Sequence, residues 1–341
     1  MLVRQELELA DLAEAEAINR QLISMPHQDV RTTAGLAELR AISHAPPGAP
    51  DLAAAGLAGA GLAAADLEID ADGTRLRLRT FAADGPARAV LVHIHGGGFC
   101  IGDPEEDDRW NAMLARECQV AVISPEYRLA PEYPHPSGVR DCIAAASWAA
   151  RDGAEYFGSE RLVIAGGSAG GHLAAGTLLA LRDQGLIGRV AAASILFGVL
   201  DASMTPSQLS ATDDTLVLTR GWLDAFYDLE FPGVSLDERR NPRLSPLYAD
   251  LRELPPALFT VGTLDPLLDD SLFMAERWHA AGNGAYLDVY PGAVHGFCNI
   301  YPASGSVAWR RMARWISARL DDADRDGEAR GGTDRGGAGR M

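Results

Sequence analysis

The sequence predicts an α/β fold with a mostly parallel central sheet, helices on both faces and a helical cap. Apolar, partly β-branched runs alternate with segments of helical spacing from about residue 89 to residue 320. One of these units, residues 162–175, passes from an apolar run through a cluster of glycines into Ala and Leu. Strands that alternate with helices indicate parallel strands in a sheet that is buried on both faces.

Composition and charge restrict the class of protein. Of 341 residues, 47% are hydrophobic and 23% are charged, which is typical of a globular protein with a sizeable core. The chain has no run of about 18 apolar residues and begins with a charged segment, so we expect a cytoplasmic protein without a membrane anchor. The net charge of −17 argues against nucleic acid and membrane partners, and it favours a neutral or cationic substrate only weakly.

The cysteines do not form a recognisable framework. Their spacing contains no C-x-x-C pair, which argues against a zinc site and against a set of disulfides. We therefore expect four buried thiols and no metal. The four are Cys100, Cys118, Cys142 and Cys298.

The N-terminal part is predicted to be helical and to precede the sheet. Residues 1–50 carry apolar side chains at helical spacing, among them Leu9 and Leu12, and are expected to form a helical addition to the sheet domain. Residues 51–66 are almost only Ala, Gly and Leu, which is typical of a connector. Further on, Asp72-Gly73 separates two alternating runs and predicts a β-hairpin at an edge of the sheet.

Residues 67–200 and 246–321 are predicted to form the two parts of the α/β core. Between them, residues 201–245 show no strand signal but contain a helix-like apolar cluster. We expect a helical cap insertion there, at the carboxyl end of a strand, where open α/β sheets bind ligands. The tail, residues 322–341, is rich in Asp, Arg and Gly and is predicted to be disordered. Core strands are predicted at residues 89–94, 120–124, 162–165, 191–197, 257–262 and 285–290, and helices at 103–117, 139–151, 271–281 and 307–320.

Two glycine-rich motifs carry the chemistry. Ser168 stands between Gly166 and Gly170 where a strand meets a helix, and this G-x-S-x-G pattern predicts a nucleophile elbow. The alternative is a glycine-rich helix start without chemistry. His95-Gly96-Gly97-Gly98 follows an earlier strand, where the backbone N–H groups of glycines can face a ligand. The alternative for this motif is a plain tight turn.

An activated serine also needs a base and an acid that orients the base. His295 follows the last predicted strand, and Asp265 follows the strand before it, so both lie where carboxyl-end loops converge. Four other histidines are interpreted as structural because of their predicted positions. Asp269 and Asp270 are interpreted as helix caps. The four histidines are His93, His135, His172 and His279.

With these motifs in the order Ser, Asp, His, the chain resembles the hormone-sensitive-lipase-like carboxylesterases (bacterial family IV) of the α/β-hydrolase superfamily. The resemblance spans about residues 89–320. It also rests on Tyr127-Arg128-Leu129-Ala130-Pro131-Glu132, Asp265-Pro266-Leu267 and His295-Gly296-Phe297. Gly167 and His172 depart from the family pattern, which commonly has Asp or Thr and Asn at these positions.

The resemblance implies an eight-stranded hydrolase sheet with a cap built from the N-terminal segment and the insertion. It also implies that Ser168 is the nucleophile, His295 the base and Asp265 its orienter. The amides of Gly97, Gly98 and Ala169 would then bind the oxyanion. A homodimer is compatible with the family, and no metal or organic cofactor is required.

The expected activity is hydrolysis of short- to medium-chain carboxylic esters, small molecules, through an acyl-enzyme. Two alternatives stay open: a pathway-specific acyl-hydrolase, acyltransferase or lyase, and a small-molecule receptor that has kept the fold. The complete triad favours an enzyme over a receptor. An apolar substrate pocket is expected, although each wall residue could equally belong to the core. Its predicted walls are Phe99, Leu218, Trp222, Phe226, Tyr227 and Phe297.

Overall fold

The computed structural model describes residues 2–23, 30–43, 63–71 and 73–334. These residues form one nine-stranded sheet with the strand order β1-β9-β8-β7-β6-β4-β5-β3-β2. The pairs β2–β3 and β3–β5 are antiparallel, and the remaining pairs are parallel, so the predicted α/β class is confirmed. The strands are β1 Leu2–Glu6, β2 Ala64–Ala71, β3 Thr74–Phe81, β4 Val90–Ile94, β5 Ala121–Pro125, β6 Leu162–Gly167, β7 Val190–Leu196, β8 Ala257–Gly262 and β9 Ala285–Tyr290.

Helices separate the core strands, as the sequence pattern predicts. Both faces of the sheet are covered by helices, as the contacts of two residues of β4, Val90 and His93, indicate. The methyl group of Val90 lies against Gly153, whereas the ring of His93 faces Trp309, and residues three apart on a strand point to opposite faces. The helices are α1 Leu12–Ile23, α2 Thr33–Ser43, α3 Asp108–Cys118, α4 Ser137–Phe157, α5 Ala169–Asp183, α6 Pro206–Ser210, α7 Arg220–Glu230, α8 Leu268–Ala280, α9 Phe297–Ile300 and α10 Pro302–Asp334.

The central strands lie in the middle of the sheet because the side chains on both of their faces are mostly apolar. All residues of β4, β5 and β8 are buried, and so are all residues of β6 except the last. Such continuous apolar runs are what a parallel strand needs when helices cover both sides of it. The predicted hairpin is confirmed as β2 and β3, with β2 at the edge of the sheet.

The N-terminal prediction is wrong in one respect, because the chain begins with a strand. Residues Leu2 to Glu6 pair in parallel with β9 and form the second edge of the sheet. The sheet therefore has nine strands, not the eight that the family resemblance implies. This strand is short and only half-buried at its apolar positions, so backbone pairing places it and its side chains give little signal. Helices α1 and α2 follow in the segment predicted to be helical, and residues 51–62 of the predicted connector lie outside the described residues.

The prediction of a disordered tail after residue 321 is also wrong, because α10 continues to Asp334. Asp324 of this extension and Asp321 just before it form ion pairs with arginines of the core. Arg88 binds Asp321 at 2.6 Å and Asp324 at 2.9 Å, and Arg161 binds Asp324 as well. A charged composition suggests disorder when it is considered alone, but here the opposite charges lie on the neighbouring surface. Residues 335–341 lie outside the described residues.

No helix in the described part of the chain is both long enough and apolar enough to cross a bilayer. The four cysteines are buried free thiols, as predicted.

Candidate active site

Ser168 stands at the sharp turn between β6 and α5. Its backbone angles, φ 55° and ψ −121°, belong to a strained conformation that lifts the side chain out of the turn. The turn requires glycine on both sides. A Cβ atom at Gly166 would lie 2.3 Å from the carbonyl oxygen of Gly170, and one at Gly170 would lie 2.1 Å from that of Ile94. Any side chain at either position would therefore push the backbone of the turn apart.

The structure brings Ser168, His295 and Asp265 into one hydrogen-bonded row. The Oγ atom of Ser168 lies 2.9 Å from Nε2 of His295, and Nδ1 of His295 lies 2.9 Å from Oδ2 of Asp265. His295 follows β9 and Asp265 follows β8, so the carboxyl ends of adjacent parallel strands supply both side chains. Asp265 is buried and also accepts a hydrogen bond from the amide of Leu267 at 2.8 Å, which fixes its carboxylate.

The glycine loop after β4 lies beside this row. Gly97 and Gly98 have φ angles of 112° and 56°, which favour glycine, and the carbonyl of Gly97 accepts the amides of Cys100 and Ile101. Within the part of the chain that the structure describes, the amides of Gly97, Gly98 and Ala169 have no hydrogen-bond acceptor. Buried N–H groups normally have one, so these amides are open to a bound ligand.

Tyr127 packs against the start of the glycine loop and helps to hold it in place. Its hydroxyl donates to the carbonyl oxygen of His95 at 3.0 Å, and its ring stacks on the His95 ring at 4.2 Å between centroids. Burial raises the pKa of Tyr127 well above its usual value and lowers the pKa of His95 to about 4. Both side chains are therefore neutral near pH 7, and the support of the loop does not depend on charge.

A cavity of about 280 Å³ opens in front of Ser168. Five of the six predicted wall residues line it, together with Gly97, Gly98 and His295. Phe297 does not: its ring is fully buried in the core and packs on Tyr290 at 4.7 Å, so its assignment to the pocket is wrong. Phe297 lies only two residues after His295, but α9 turns its ring away from the cavity. The five predicted residues on the wall are Phe99, Leu218, Trp222, Phe226 and Tyr227.

The cap insertion covers this cavity through α7. The ring of Phe226 lies directly against Gly98, because a Cβ atom at Gly98 would be 2.5 Å from it. Helix α7 begins after Thr219, whose hydroxyl accepts the amide of Trp222 and caps the helix. One helix of the insertion therefore forms the apolar roof over the serine.

Asp269 and Asp270 do not cap α8, contrary to the sequence interpretation. The N-terminal residue of that helix has no side-chain cap, and Asp269 instead accepts the amide of Ser207 at 2.9 Å. Asp270 is completely buried and accepts hydrogen bonds from two amides and from two cap side chains, which are those of Leu200, Asp201, Thr205 and Gln208. These carboxylates attach the insertion to the core.

Two predicted structural histidines remain apart from the serine. His172 is buried, with Nδ1 3.1 Å from the carbonyl oxygen of Val199, and burial lowers its pKa to about 3. Burial also lowers the pKa of His135, whose ring lies beside Phe231. Neither imidazole forms a hydrogen bond with the side chain of Ser168, although the backbone amide of His172 donates to the carbonyl oxygen of Ser168 at 3.3 Å.

Other residues of the cavity wall are not predicted from the sequence, and four of them come from distant parts of the chain. His93 was interpreted as structural, but it lines the cavity together with Asp107, Asn299 and Trp309. These four come from β4, from the start of α3, from α9 and from α10, and their spacing in the sequence carries no motif. Within the described residues, no group of His, Cys, Asp and Glu is arranged to hold a metal ion.

Known proteins resemble this chain in sequence and in fold. A family model described as alpha/beta hydrolase fold matches residues 91–299. Carboxylesterase NlhH of Mycobacterium tuberculosis is 34% identical over 235 residues, which cover 66% of this chain and 72% of that protein. An arylesterase of Saccharolobus solfataricus is 34% identical over 269 residues, which cover 75% and 82%.

Solved structures show the same likeness. A bacterial heroin esterase has a TM-score of 0.79 and 32% identity, and the match covers 90% of this chain and 97% of that one. An esterase of Pyrobaculum calidifontis has a TM-score of 0.78 and 29% identity, with 88% and 97% covered. Both similarities extend beyond the motifs to nearly the whole length of these structures.

Proposed function

This chain belongs to the α/β-hydrolase family, within which it resembles the hormone-sensitive-lipase-like carboxylesterases, and we propose that it is a serine carboxylesterase. One observation carries the proposal. The hydroxyl of Ser168 faces a cavity and lies in one hydrogen-bonded row with His295 and Asp265, beside amides that lack an acceptor in the described structure. A hydroxyl, a base and oxyanion donors at one point are the components of acyl transfer.

The first step forms an acyl-enzyme. His295 removes the proton of Ser168 through Nε2 as the serine oxygen attacks the ester carbonyl. The carbonyl oxygen becomes an oxyanion, and the amides of Gly97, Gly98 and Ala169 donate hydrogen bonds to it. The proton on His295 then passes to the leaving alcohol as the ester C–O bond breaks. Asp265 holds the imidazole with Nδ1 protonated and stabilises its charged form.

The second step repeats this sequence with water. His295 removes a proton from the water as its oxygen attacks the acyl carbon, and the same amides bind the second oxyanion. The proton returns to the oxygen of Ser168, and the carboxylic acid leaves. No cofactor takes part in either step of the proposed reaction.

The cavity supports esters of short to medium chain length. Its volume of about 280 Å³ lies at the lower end of the range for small-molecule sites. The rings of Phe226 and Trp222 close it from the side of the cap, so a long acyl chain would have to displace α7. The open alternative, a non-catalytic receptor, is disfavoured because the complete hydrogen-bonded row would then have no use.

The proposal is tested by measuring hydrolysis of para-nitrophenyl acetate, butyrate, octanoate and laurate. We expect kcat/KM to fall as the chain lengthens and Ser168→Ala to lower it by about 10⁶-fold. The matched control is Ser210→Ala, an exposed serine on α6 away from the cavity, which should leave the rate unchanged. Full activity in Ser168→Ala, or a folded wild type that hydrolyses no ester, would contradict the assignment.

A further inference from the structure

The cavity in front of Ser168 has an acidic and aromatic wall. The carboxylates of Glu106 and Asp107 line it, and no Lys or Arg is among the described residues on its surface. Six aromatic side chains surround the same space. A charged group at the wall of a small apolar cavity normally has a counterpart, so the partner of the Asp107 carboxylate has to be identified. The six are Phe99, Phe197, Trp222, Phe226, Tyr227 and Trp309.

Asp107 is the carboxylate that lies inside the cavity. The residue is only 6% exposed and is the N-cap residue of α3, but its side chain makes no capping hydrogen bond. Capping is the usual role of an aspartate at this position, and here it is not used. In the described structure no N–H or O–H group donates to this carboxylate within hydrogen-bond distance.

The carboxylate of the neighbouring residue Asp108, in contrast, has a positively charged partner. Arg79 binds it in a two-pronged pair, with Nε 3.0 Å from Oδ1 and Nη2 2.6 Å from Oδ2. The two aspartates are adjacent in sequence and both are buried. One has an arginine as its partner, and the other faces the cavity.

His93 does not neutralise Asp107. Its Nδ1 atom lies 3.7 Å from Oδ2 of Asp107, beyond hydrogen-bond distance, and has no other hydrogen-bond partner among the described residues. The side chain is 2% exposed, and burial lowers its pKa although Asp107 acts in the opposite direction. The imidazole is therefore neutral near pH 7, and the contact is not an ion pair.

We propose that the Asp107 side of the cavity binds the ammonium group of a cationic ester substrate. The carboxylate supplies the opposite charge, and the ring of Trp309, which also packs on His93, supplies an aromatic face for the cation. This proposal rests on the proposed esterase function, since the ester carbonyl is taken to lie at Ser168 in the same cavity. It defines the substrate class as esters that carry an amine or a quaternary ammonium group on the acyl or the alcohol side.

The test compares esters that differ in charge and hardly in shape. Acetylcholine is paired with 3,3-dimethylbutyl acetate, and the ethyl ester of glycine betaine is paired with ethyl 3,3-dimethylbutanoate. Binding is measured by calorimetry or NMR in Ser168→Ala, so that no turnover is needed. We expect the ammonium member of at least one pair to bind about tenfold more tightly than its neutral partner. Asp107→Asn in the same background should abolish that preference, so that the two members of the pair bind with similar affinity.

A control separates the local carboxylate from the net charge of the protein. Glu117→Gln removes one negative charge from an exposed position on α3 outside the cavity, and it should preserve the preference. Equal binding of both members in both pairs, or a preference that survives Asp107→Asn, would overturn the proposal. Hydrolysis is followed separately with the catalytic serine present. If no ester is hydrolysed but the Asp107-dependent preference is found, the proposed function fails and the cation site stands.

Discussion

The carboxyl edge of the sheet and the cap that covers it are held by different kinds of contact. At the edge, main-chain atoms lie so close together that a Cβ atom at Gly170 would be 2.1 Å from the carbonyl oxygen of Ile94. In the cap, side chains make the connections. The hydroxyl of Tyr227 donates to Gln208, and Gln208 donates to the buried carboxylate of Asp270.

This difference explains why the residue types at the edge of the sheet are restricted more strictly than those in the cap. Close main-chain packing admits only glycine at fixed positions, so a single added methyl group disturbs the elbow. A side-chain network distributes its energy over several hydrogen bonds, and each contributes only about 1 kcal/mol to stability. We therefore expect substitutions at the edge to have large effects and substitutions in the cap to have graded ones.

Among the substitutions that probe this comparison, the largest effect should come from Asp265, the acid of the proposed catalytic row. Asp265→Asn keeps the shape of the side chain but no longer favours the imidazole with Nδ1 protonated, so we expect kcat to fall by about 10⁴-fold. Thermal unfolding should change far less than the rate. The matched control is Asp269→Asn, since Asp269 lies nearby but binds the cap segment at Ser207. Similar losses of rate in both variants would mean that the row is not the catalytic unit.

The second effect concerns the elbow itself. Gly170→Ala should lower the free energy of unfolding by about 3 kcal/mol, because the new methyl group meets main-chain atoms that cannot move independently. Gly188→Ala is the control, since a Cβ atom there would have nothing within 4 Å. Chemical denaturation of both variants measures the difference. Equal stability of the two would show that the elbow is not as close-packed as described.

A third effect is a pH dependence in the cap. Glu230 lies at the end of α7, and burial raises its pKa to about 8. Because the folded protein keeps a proton that the unfolded chain releases above about pH 4.5, stability should fall as the pH rises from there to about 8.

Glu230→Gln removes this titration. We expect the variant and the wild type to be similarly stable near pH 5, and the variant to be more stable by about 4 kcal/mol near pH 9. Unfolding curves at both pH values provide the measurement, and Glu238→Gln, a fully exposed acid of the same insertion, provides the control. A difference that does not change with pH would contradict the proposed burial effect.

The smallest effect is expected for the contact between helix α2 and the glycine loop after β4. Arg40 on α2 donates to the carbonyl oxygen of Cys100 at 2.8 Å and pairs with Glu132 at 2.8 Å. A double-mutant cycle with Arg40→Met and Glu132→Gln should give a coupling energy of about 1 kcal/mol or less, because Glu132 is half exposed. A coupling energy of several kcal/mol would show that this pair contributes far more to stability than the side-chain contacts of the cap do.

Much of the fold could be predicted because its core strands are apolar runs of characteristic length. Strands β8 and β9 have the predicted bounds, and the elbow and the glycine loop follow the predicted strands. Strand β1 could not be predicted, since its register with β9 depends on main-chain hydrogen bonds between residues about 280 apart in sequence. The extension of α10 was missed for a similar reason: its aspartates bind arginines that lie far away in the sequence.

The candidate site likewise has some residues that the sequence predicts and others that it does not. Ser168, Asp265 and His295 were selected from the sequence because each follows a predicted strand, and carboxyl ends of parallel strands converge. The positions of Asp107 and His93 in the cavity, and the exclusion of Phe297 from it, were decided only by tertiary structure. The direction of a side chain depends on how a loop or a short helix packs against its neighbours, and a local pattern does not record that packing. The sequence by itself therefore determined the fold class and the order of the reacting groups, whereas the folded chain decided which side chains surround the substrate.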